Sequence, residues 1–515
     1  MSEIKDNNKQ CRFMTSVPAD YLRDESRKTG VADAIAFPQS VDETVSLVRF
    51  AVASGIKNIT VQGSRTGIAA GAVPDGGVII NFSKMNRIAA GSANGDGTAR
   101  LQVQPGATLA ELRHHMDVLT LDGDLRPGRW MFTPDPTETS ASIGGMAACN
   151  ASGARSFAYG PTRNHIEALT IVLADGDSVH LARGEQHACG HKFSLRTESG
   201  RVIEGELPRF KMPEVKNASG YWVKPDMDLI DLFIGSEGTL GIIVDLELRL
   251  RPKPLRTMGI MCYFSDESNL LRFITKLRES AASVTPDMLL AIEYFDNGAL
   301  TLIRENAKDM GLLLPPSKTH WSFALYIEWA LESDGEYPAD LTDRLLIECG
   351  GHGTDTWVAA DALAMDKLRT FRHAVPEQVN AIIAERKRGY PNLTKLGTDL
   401  AVPNRRLPDV MRMYRNDLCN AQLEHVIFGH IGNNHLHVNI MPRDMDEYNR
   451  GKSLYRTWGQ QVVNWGGSVS AEHGIGRLKK DLLMMMYGPA TIADMSALKQ
   501  LFDPANRLNA GCLFD

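Results

Sequence analysis

The sequence predicts an α+β chain in two parts, and three observations carry that prediction. In the first half, short apolar strands end in glycine and alternate with capped helices. Two prolines, Pro252 and Pro254, then close a long strand, and beyond them strands separated by helices return antiparallel on one another. At 515 residues the chain has room for two or more domains with sizeable cores. The expected division is a polar arm over 1–35, a first domain over 36–254, a second over 255–455 and a helical segment over 456–515 that returns to the first.

Taken in order, Ser40 opens a helix with the capping box S-V-D-E, and Val41, Val45, Val48 and Val52 give it an apolar face. It ends at Gly55 and leads to a strand at 59–61. Then comes V-Q-G-S-R-T-G-I-A-A-G-A-V-P, with glycines at 63, 67 and 71. Strands at 78–81 and 101–105 precede a helix capped by Thr108, with Glu111 at the box position. Residues 126–165 carry no long periodic run. Their small and polar side chains, interleaved with aromatics, suit functional loops better than disorder. A hairpin over 168–174 and 178–181 turns at Asp175-Gly176. Residues 186–215 read as an irregular insertion, and a strand at 242–250 closes the half. Strands at 258–264, 289–295 and 323–329 then alternate with helices near 269–280 and 359–388, which predicts a sheet covered by helices on one face.

Composition removes several classes of function. A net charge of −6 without a Lys/Arg run argues against nucleic-acid binding. Seven cysteines are scattered singly with no C-x-x-C, so neither a disulfide framework nor a thiolate metal site is expected, and a reducing compartment fits. The start, M-S-E-I-K-D-N-N-K-Q, lacks the apolar core of a secretory signal, and no run of 18 apolar residues exists to span a bilayer. A cytoplasmic location is expected, with peripheral contact at the inner face of the membrane left open.

Two short stretches carry candidate chemistry. V-I-F-G-H-I-G-N-N-H-L-H-V-N-I, at 426–440, brings His430, His435 and His437 together around a Gly/Asn turn; Leu436, Val438 and Ile440 alternate with His437 and Asn439, as on a strand with one buried face. S-V-S-A-E-H-G-I-G, at 468–476, sets Glu472 beside His473. Two neutral imidazoles and a carboxylate make a borderline metal set, zinc first, manganese or iron as alternatives. The residues alone leave open two unrelated loops with solvated histidines. The glycine-rich loops at 63–71, 139–145 and 235–241 offer backbone N–H groups and hydroxyls without obstructing Cβ atoms. None fits G-x-G-x-x-G or G-x-x-x-x-G-K-[ST], and G-x-S-x-G and H-E-x-x-H are absent. Three such loops suit a long phosphorylated cofactor wrapped by several segments; tight turns in a compact fold are the alternative.

These residues together resemble one family. The loop at 61–74, the block at 139–160 with Ile143-Gly144-Gly145, Asn150 and Tyr159-Gly160, then K-N-A-S-G-Y and I-G-S-E-G-T-L-G-I resemble the vanillyl-alcohol-oxidase (PCMH) type of two-part FAD-binding domain. The second half resembles the C-terminal domain of the FAD-dependent D-2-hydroxyacid dehydrogenases: D-lactate dehydrogenase, glycolate oxidase subunit and D-2-hydroxyglutarate dehydrogenase. The resemblance implies an FAD domain followed by an antiparallel-sheet substrate (cap) domain covered by helices. It puts the pyrophosphate on Gly63, Ser64, Arg65, Thr66 and Gly67. Thr139, Ser142, Gly144, Gly145, Asn150, Gly153, Tyr159, Glu237 and Ile242 would lie along the rest of the cofactor. Arg65 stands where a histidine would be needed for attachment, so FAD would be non-covalent. His430, His437 and Glu472 match the metal ligands, His473 the proposed base and Asn439 a substrate-side asparagine. Arg372 and Lys395 match cations for the substrate carboxylate, though by themselves they read as a helix-surface and a loop cation.

The sequence departs from the family at Asn433-Asn434-His435, where D-G-N is usual, and at Pro376, where the 2-hydroxyglutarate branch has threonine. The implied reaction is oxidation of a D-lactate-like D-2-hydroxy acid, or alternatively of D-2-hydroxyglutarate or glycolate, by hydride transfer to flavin N5, assisted by a divalent metal and a histidine base, with a quinone, cytochrome or electron-transfer flavoprotein as acceptor. A homodimer or a place in a larger complex is compatible. The alternatives are an alkylglycerone-phosphate-synthase-like flavoenzyme without net redox and, from another class, a metal hydrolase.

Overall fold

Capping sets where the first helix starts, and packing sets which face it buries. In the computed structural model, which describes residues 12–121, 126–284, 288–307, 321–331 and 337–515, helix Val41–Ala53 begins at Ser40, whose side chain accepts from the Glu43 N–H at 3.2 Å. The buried stripe is Thr44, Leu47, Val48 and Ala51. The expected face was one step away, because hydropathy ranks valine above threonine and alanine, whereas packing selects the i, i+3, i+4, i+7 stripe. This helix shares a core with Ile59, Val78 and Ile80. Those residues belong to a small parallel sheet ordered Ala34–Ala36, Val78–Asn81, Ile59–Gln62.

An antiparallel sheet follows, ordered Ile88–Ala93, Ala99–Val103, Ile242–Pro252, Ile166–Val172 and Ser178–Ala182. Helix Leu109–Val118 carries the expected Thr108–Glu111 capping box. The region read as an irregular insertion is instead ordered by a hairpin, Lys192–Arg196 with Val202–Glu206. Its inner face is Phe193, Leu195 and Ile203, an alternation too short to stand out among polar neighbours.

The second half is built on one antiparallel sheet, ordered Thr356–Ala359, Arg256–Phe264, Phe323–Leu331, Leu289–Phe295, His425–Gly429, His435–Ile440 and Leu396–Gly397, with Leu400–Ala401 also pairing on His435–Ile440. Helices cover both faces, not one. Ile260, Cys262 and Phe264 pack with Phe273, Ile274 and Leu277 of helix Glu267–Val284, while Met261 and Tyr263 pack with Phe371 and Val375 of helix Ala362–Arg386. The nearly unbroken apolar run of that strand is the mark of burial on two sides.

Helix Lys480–Phe502 breaks at Gly488 (φ 76°) before Pro489. Phe502 then stacks on Phe193 with centroids 5.9 Å apart, and Ile59 N–H donates to the Arg507 carbonyl at 2.8 Å. Residues 1–11 of the expected arm lie outside the described residues. Met14 pairs with Ile35, and the Arg65 guanidinium lies 4.3 Å from the Tyr21 ring centroid. The described cysteines are free, and no described helix is long and apolar enough to cross a membrane.

Candidate active site

The histidine hairpin owes its shape to its turn. His425–Gly429 and His435–Ile440 pair antiparallel, and Asn434 closes the turn at φ 53°. Asparagine tolerates this left-handed backbone better than most residues, so the departure from D-G-N keeps the turn. Arg278 clamps it from outside, donating to the carbonyls of Ile431 and Gly432 and to Asn434 Oδ1. With Leu436, Val438 and Ile440 in the core, the rings of His430, His435 and His437 meet at centroid separations of 5.5, 5.4 and 4.5 Å.

Glu472 sits among them. His430 Nε2 lies 3.4 Å from its Oε2, His437 Nε2 3.4 Å from its Oε1, and His435 Nδ1 3.9 Å from its Oε2. One donor atom from each of the four side chains lies within 4.8 Å of all the others, a spacing and donor set that fit a divalent cation. Lys216, from K-N-A-S-G-Y, reaches Glu472 at 2.6 Å and the Ser152 hydroxyl donates to it at 3.3 Å. Burial resists ionisation of Glu472, but Lys216 and His430 outweigh it and hold the carboxyl well below its usual range. Burial also disfavours a charged His430; Glu293, at 2.7 Å from its Nδ1, and Glu472 overcome that and lift it to about 9. For His435 burial outweighs the pull of Glu472 and Asp399 and pushes it down to about 3.

Asp399 organises the second stretch from beneath. It accepts from Lys479 at 2.7 Å, from the Ser470 hydroxyl at 2.6 Å, and from the N–H groups of Glu472 and His473 at 3.2 and 3.1 Å. Its Oδ2 also lies 3.3 Å from His473 Nδ1. Burial opposes its charge, but His473 and Lys479 keep the carboxyl well below the usual range. His473 thus presents Nε2, 3.5 Å from Glu472 Oε1, and keeps 28% of its side chain exposed.

One cleft of about 330 Å³ joins this cluster to the glycine loops. Gly63, Ser64, Arg65, Thr66, Gly67, Ser142, Gly144, Gly145, Gly153 and Glu237 line it from the first half, and His430, Glu472 and His473 from the second. A Cβ on Gly67 would meet nothing within 4 Å, so that loop borders open space, as a cradle for an extended phosphorylated ligand must. Glu237 stitches the halves together: its carboxylate accepts from the N–H groups of Ile475 and Gly476, each at 2.7 Å. Gly476, at φ 52°, approaches so closely that a Cβ would fall 2.0 Å from the Ala69 carbonyl oxygen.

Burial pushes Glu237 up to about 7 from an ordinary 4.5, with those two N–H groups pulling the other way. Between these pH values the folded protein keeps a proton that the unfolded chain has lost. Its contribution to stability is therefore full below about pH 4.5 and lost as pH rises through about 7. The unfolding free-energy difference between wild type and Glu237→Gln, followed by denaturant unfolding from pH 4.5 to 8, is expected to move against wild type by on the order of 3 kcal/mol. A flat difference would show that Glu237 is ionised throughout.

Other expected residues lie off the cleft. Thr139 is exposed, with its carbonyl taken by Ala110 N–H at 2.8 Å. Asn150 ends helix Ile143–Cys149 at φ 50° and accepts from Arg163 N–H. Tyr159 is buried and its carbonyl meets His165 Nε2 at 2.8 Å. Ile242 packs in the core with Val172 and Val244, and its neighbour Ile243 lines the cleft instead. Arg372 approaches Glu293 at 3.7 Å, over the Tyr326 ring at 5.0 Å, and so joins the cluster through the carboxylate that holds His430. Lys395 is half-buried with no anionic partner among the described residues; burial and the like charge of Arg27 lower its pKa. Asn439 is buried on the histidine strand, opposite Gly397. Sequence reasoning passed over Glu293, Asp399 and Lys216. Asp399 and Lys216 stand in the short runs K-L-G-T-D-L and K-N-A-S-G-Y, where an acid or amine among small residues was the available signal.

Residues 32–182 match the family described as an FAD binding domain, and residues 257–513 that described as FAD linked oxidases, C-terminal domain. The chain belongs to the FAD-linked oxidases. This FAD-linked oxidase is 28% identical to a probable mitochondrial D-lactate dehydrogenase of Danio rerio, over 96% of the chain and 87% of the relative. It is 27% identical to a D-2-hydroxyglutarate dehydrogenase of Stutzerimonas stutzeri, over 93% and 90%. An alkyldihydroxyacetonephosphate synthase superposes with a TM-score of 0.57 at 14% identity, covering 93% of the chain and 77% of the synthase, a likeness of fold. The FAD-binding segment of this oxidase is therefore the one that supplies the Gly63–Gly67 loop.

Proposed function

We propose that this FAD-linked oxidase converts a D-2-hydroxy acid of the D-lactate type to the 2-oxo acid and passes the electrons to a non-nicotinamide acceptor. One observation carries the reading: a single cleft has the glycine loop at one side and His430, Glu472 and His473 at the other. The names of the D-lactate and D-2-hydroxyglutarate relatives support the substrate class. Non-covalent FAD supplies the two-electron oxidising power there, and a divalent cation supplies Lewis acidity toward a hydroxyl oxygen. Gly63 to Gly67, Ser142, Gly144, Gly145, Gly153 and Glu237 are the cofactor contacts of this proposal, and His430, His437 and Glu472 hold the cation.

The protein's own work is positioning and proton transfer. His473 takes the hydroxyl proton on Nε2, since its Nδ1 faces Asp399. Lys395, a cation short of a counter-charge, gains from a substrate carboxylate. Arg372 offers its planar fork, which the carboxylate must share with Glu293. In this proposal residues 36–254 form the FAD domain, 255–455 the substrate domain, and 456–515 return to the first.

The test is anaerobic mixing with D-lactate, D-2-hydroxyglutarate and glycolate. Bleaching of the flavin absorbance by at least one is expected; none would sink the reading and favour a flavoenzyme without net redox. Arg372→Ala is expected to raise the apparent KM roughly 10- to 100-fold, the worth of hydrogen bonds to a charged group. An unchanged KM would remove Arg372 from the carboxylate site.

A further inference from the structure

His435 is the cluster member with no role so far. Its ring is fully buried, yet neither ring nitrogen has a hydrogen-bond partner. A buried polar atom left unpaired costs ~1–3 kcal/mol, so such a group in a packed sheet calls for a ligand or an ion.

The three imidazoles share one arrangement. His430 turns Nδ1 to Glu293 at 2.7 Å and Nε2 to Glu472. His437 turns Nδ1 to the Thr398 carbonyl at 3.2 Å and Nε2 to Glu472. His435 turns Nε2 to Asp399 at 3.0 Å, without the alignment of a good hydrogen bond, and Nδ1 to Glu472. In His430 and His437 an acceptor holds the far nitrogen, in His435 Asp399 faces it, and in all three the near nitrogen is turned to the Glu472 carboxylate, the arrangement typical of metal-bound histidine. Donors bonded at ~2.0–2.1 Å in tetrahedral zinc stand roughly 3.3 Å apart, and the three nitrogens lie 3.4, 3.4 and 3.9 Å from Glu472 oxygens.

We propose that His435 Nδ1 is a fourth protein ligand, making a three-histidine, one-glutamate site whose third ring is oriented by Asp399. This rests on the reading that the cluster holds a divalent cation. Four protein donors complete a tetrahedral shell, so a zinc ion held that way has no position left for a substrate oxygen. An ion that also takes the substrate hydroxyl must be five- or six-coordinate, which moves the preference from zinc toward manganese or iron.

The test uses FAD-loaded protein with Mn2+ added alone. Pulsed electron paramagnetic resonance counts the imidazole nitrogens bonded to the ion: three are expected in wild type and two in His435→Asn. Chelator competition is expected to show Mn2+ affinity lower in the variant by at least the ~10–100-fold that outer-shell partners already control, with FAD content unchanged. Two nitrogens in wild type, or a count unmoved by the substitution, overturns the fourth ligand while leaving a three-ligand site standing. Failure of wild type to bind any divalent ion overturns the cation reading itself. Should the variant not fold, the wild-type count decides alone.

Discussion

Glu472→Gln or His430→Ala is expected to leave a yellow protein that no longer turns over. Glu472 stands at the centre of the cluster: Lys216, Ser152 and the nearer nitrogens of His430, His435 and His437 all address its two oxygens. Glutamine keeps the shape and one acceptor oxygen but removes the charge that balances Lys216 and would hold a cation. Among the described residues no hydrogen bond or ion pair joins the glycine loops at 63–71, 139–145 and 235–241 to Glu472 or His430, so flavin should stay bound. Losing a Lewis acid worth several kcal/mol lowers kcat by about a thousandfold. Flavin absorbance per polypeptide and steady-state turnover of the preferred hydroxy acid check both halves. Turnover within about threefold of wild type would show the cluster to be spectator chemistry.

The second large effect is expected at Asp399. It touches no substrate in this scheme; it positions His473 through Nδ1 and the backbone, and it balances Lys479. Asp399→Asn keeps the shape, but its amide cannot hold the His473 tautomer in the same way. By analogy with carboxylates behind catalytic imidazoles, kcat should fall by about 100- to 10,000-fold, with KM nearly constant and the acid limb of the pH–rate profile displaced. A drop in melting temperature with kcat and the pH profile unmoved would make Asp399 a structural residue only.

Much of the site is local in the chain and was legible for that reason. The 426–440 stretch encodes strand alternation and a turn by itself, and the Asn434 backbone shows why the altered motif still closes. Thr108 and Glu111 form their box as written. What stayed hidden depends on distant pairing. Glu293 stands in L-L-A-I-E-Y-F like any strand residue, and only the fold brings it to His430 across 137 positions. Arg155 and Glu328 meet at 2.5 Å from opposite halves of the chain. The helix at 41–53 and the hairpin at 192–206 were misread for a different reason: packing there used small residues and short alternations that hydropathy underweights.

Asn509, which also borders the cleft, accepts from Val61 N–H at 2.9 Å across 448 positions and donates to the Glu237 carbonyl at 2.7 Å. During synthesis Val61 and the glycine loop that follows it therefore emerge long before the amide that locks them. At ~5–20 residues per second the delay is on the order of 20–90 s. A nascent polypeptide cannot finish this wall of the cleft on the ribosome until residue 509 has cleared the exit tunnel, so its closure waits on the trailing segment rather than on the folding of the leading half.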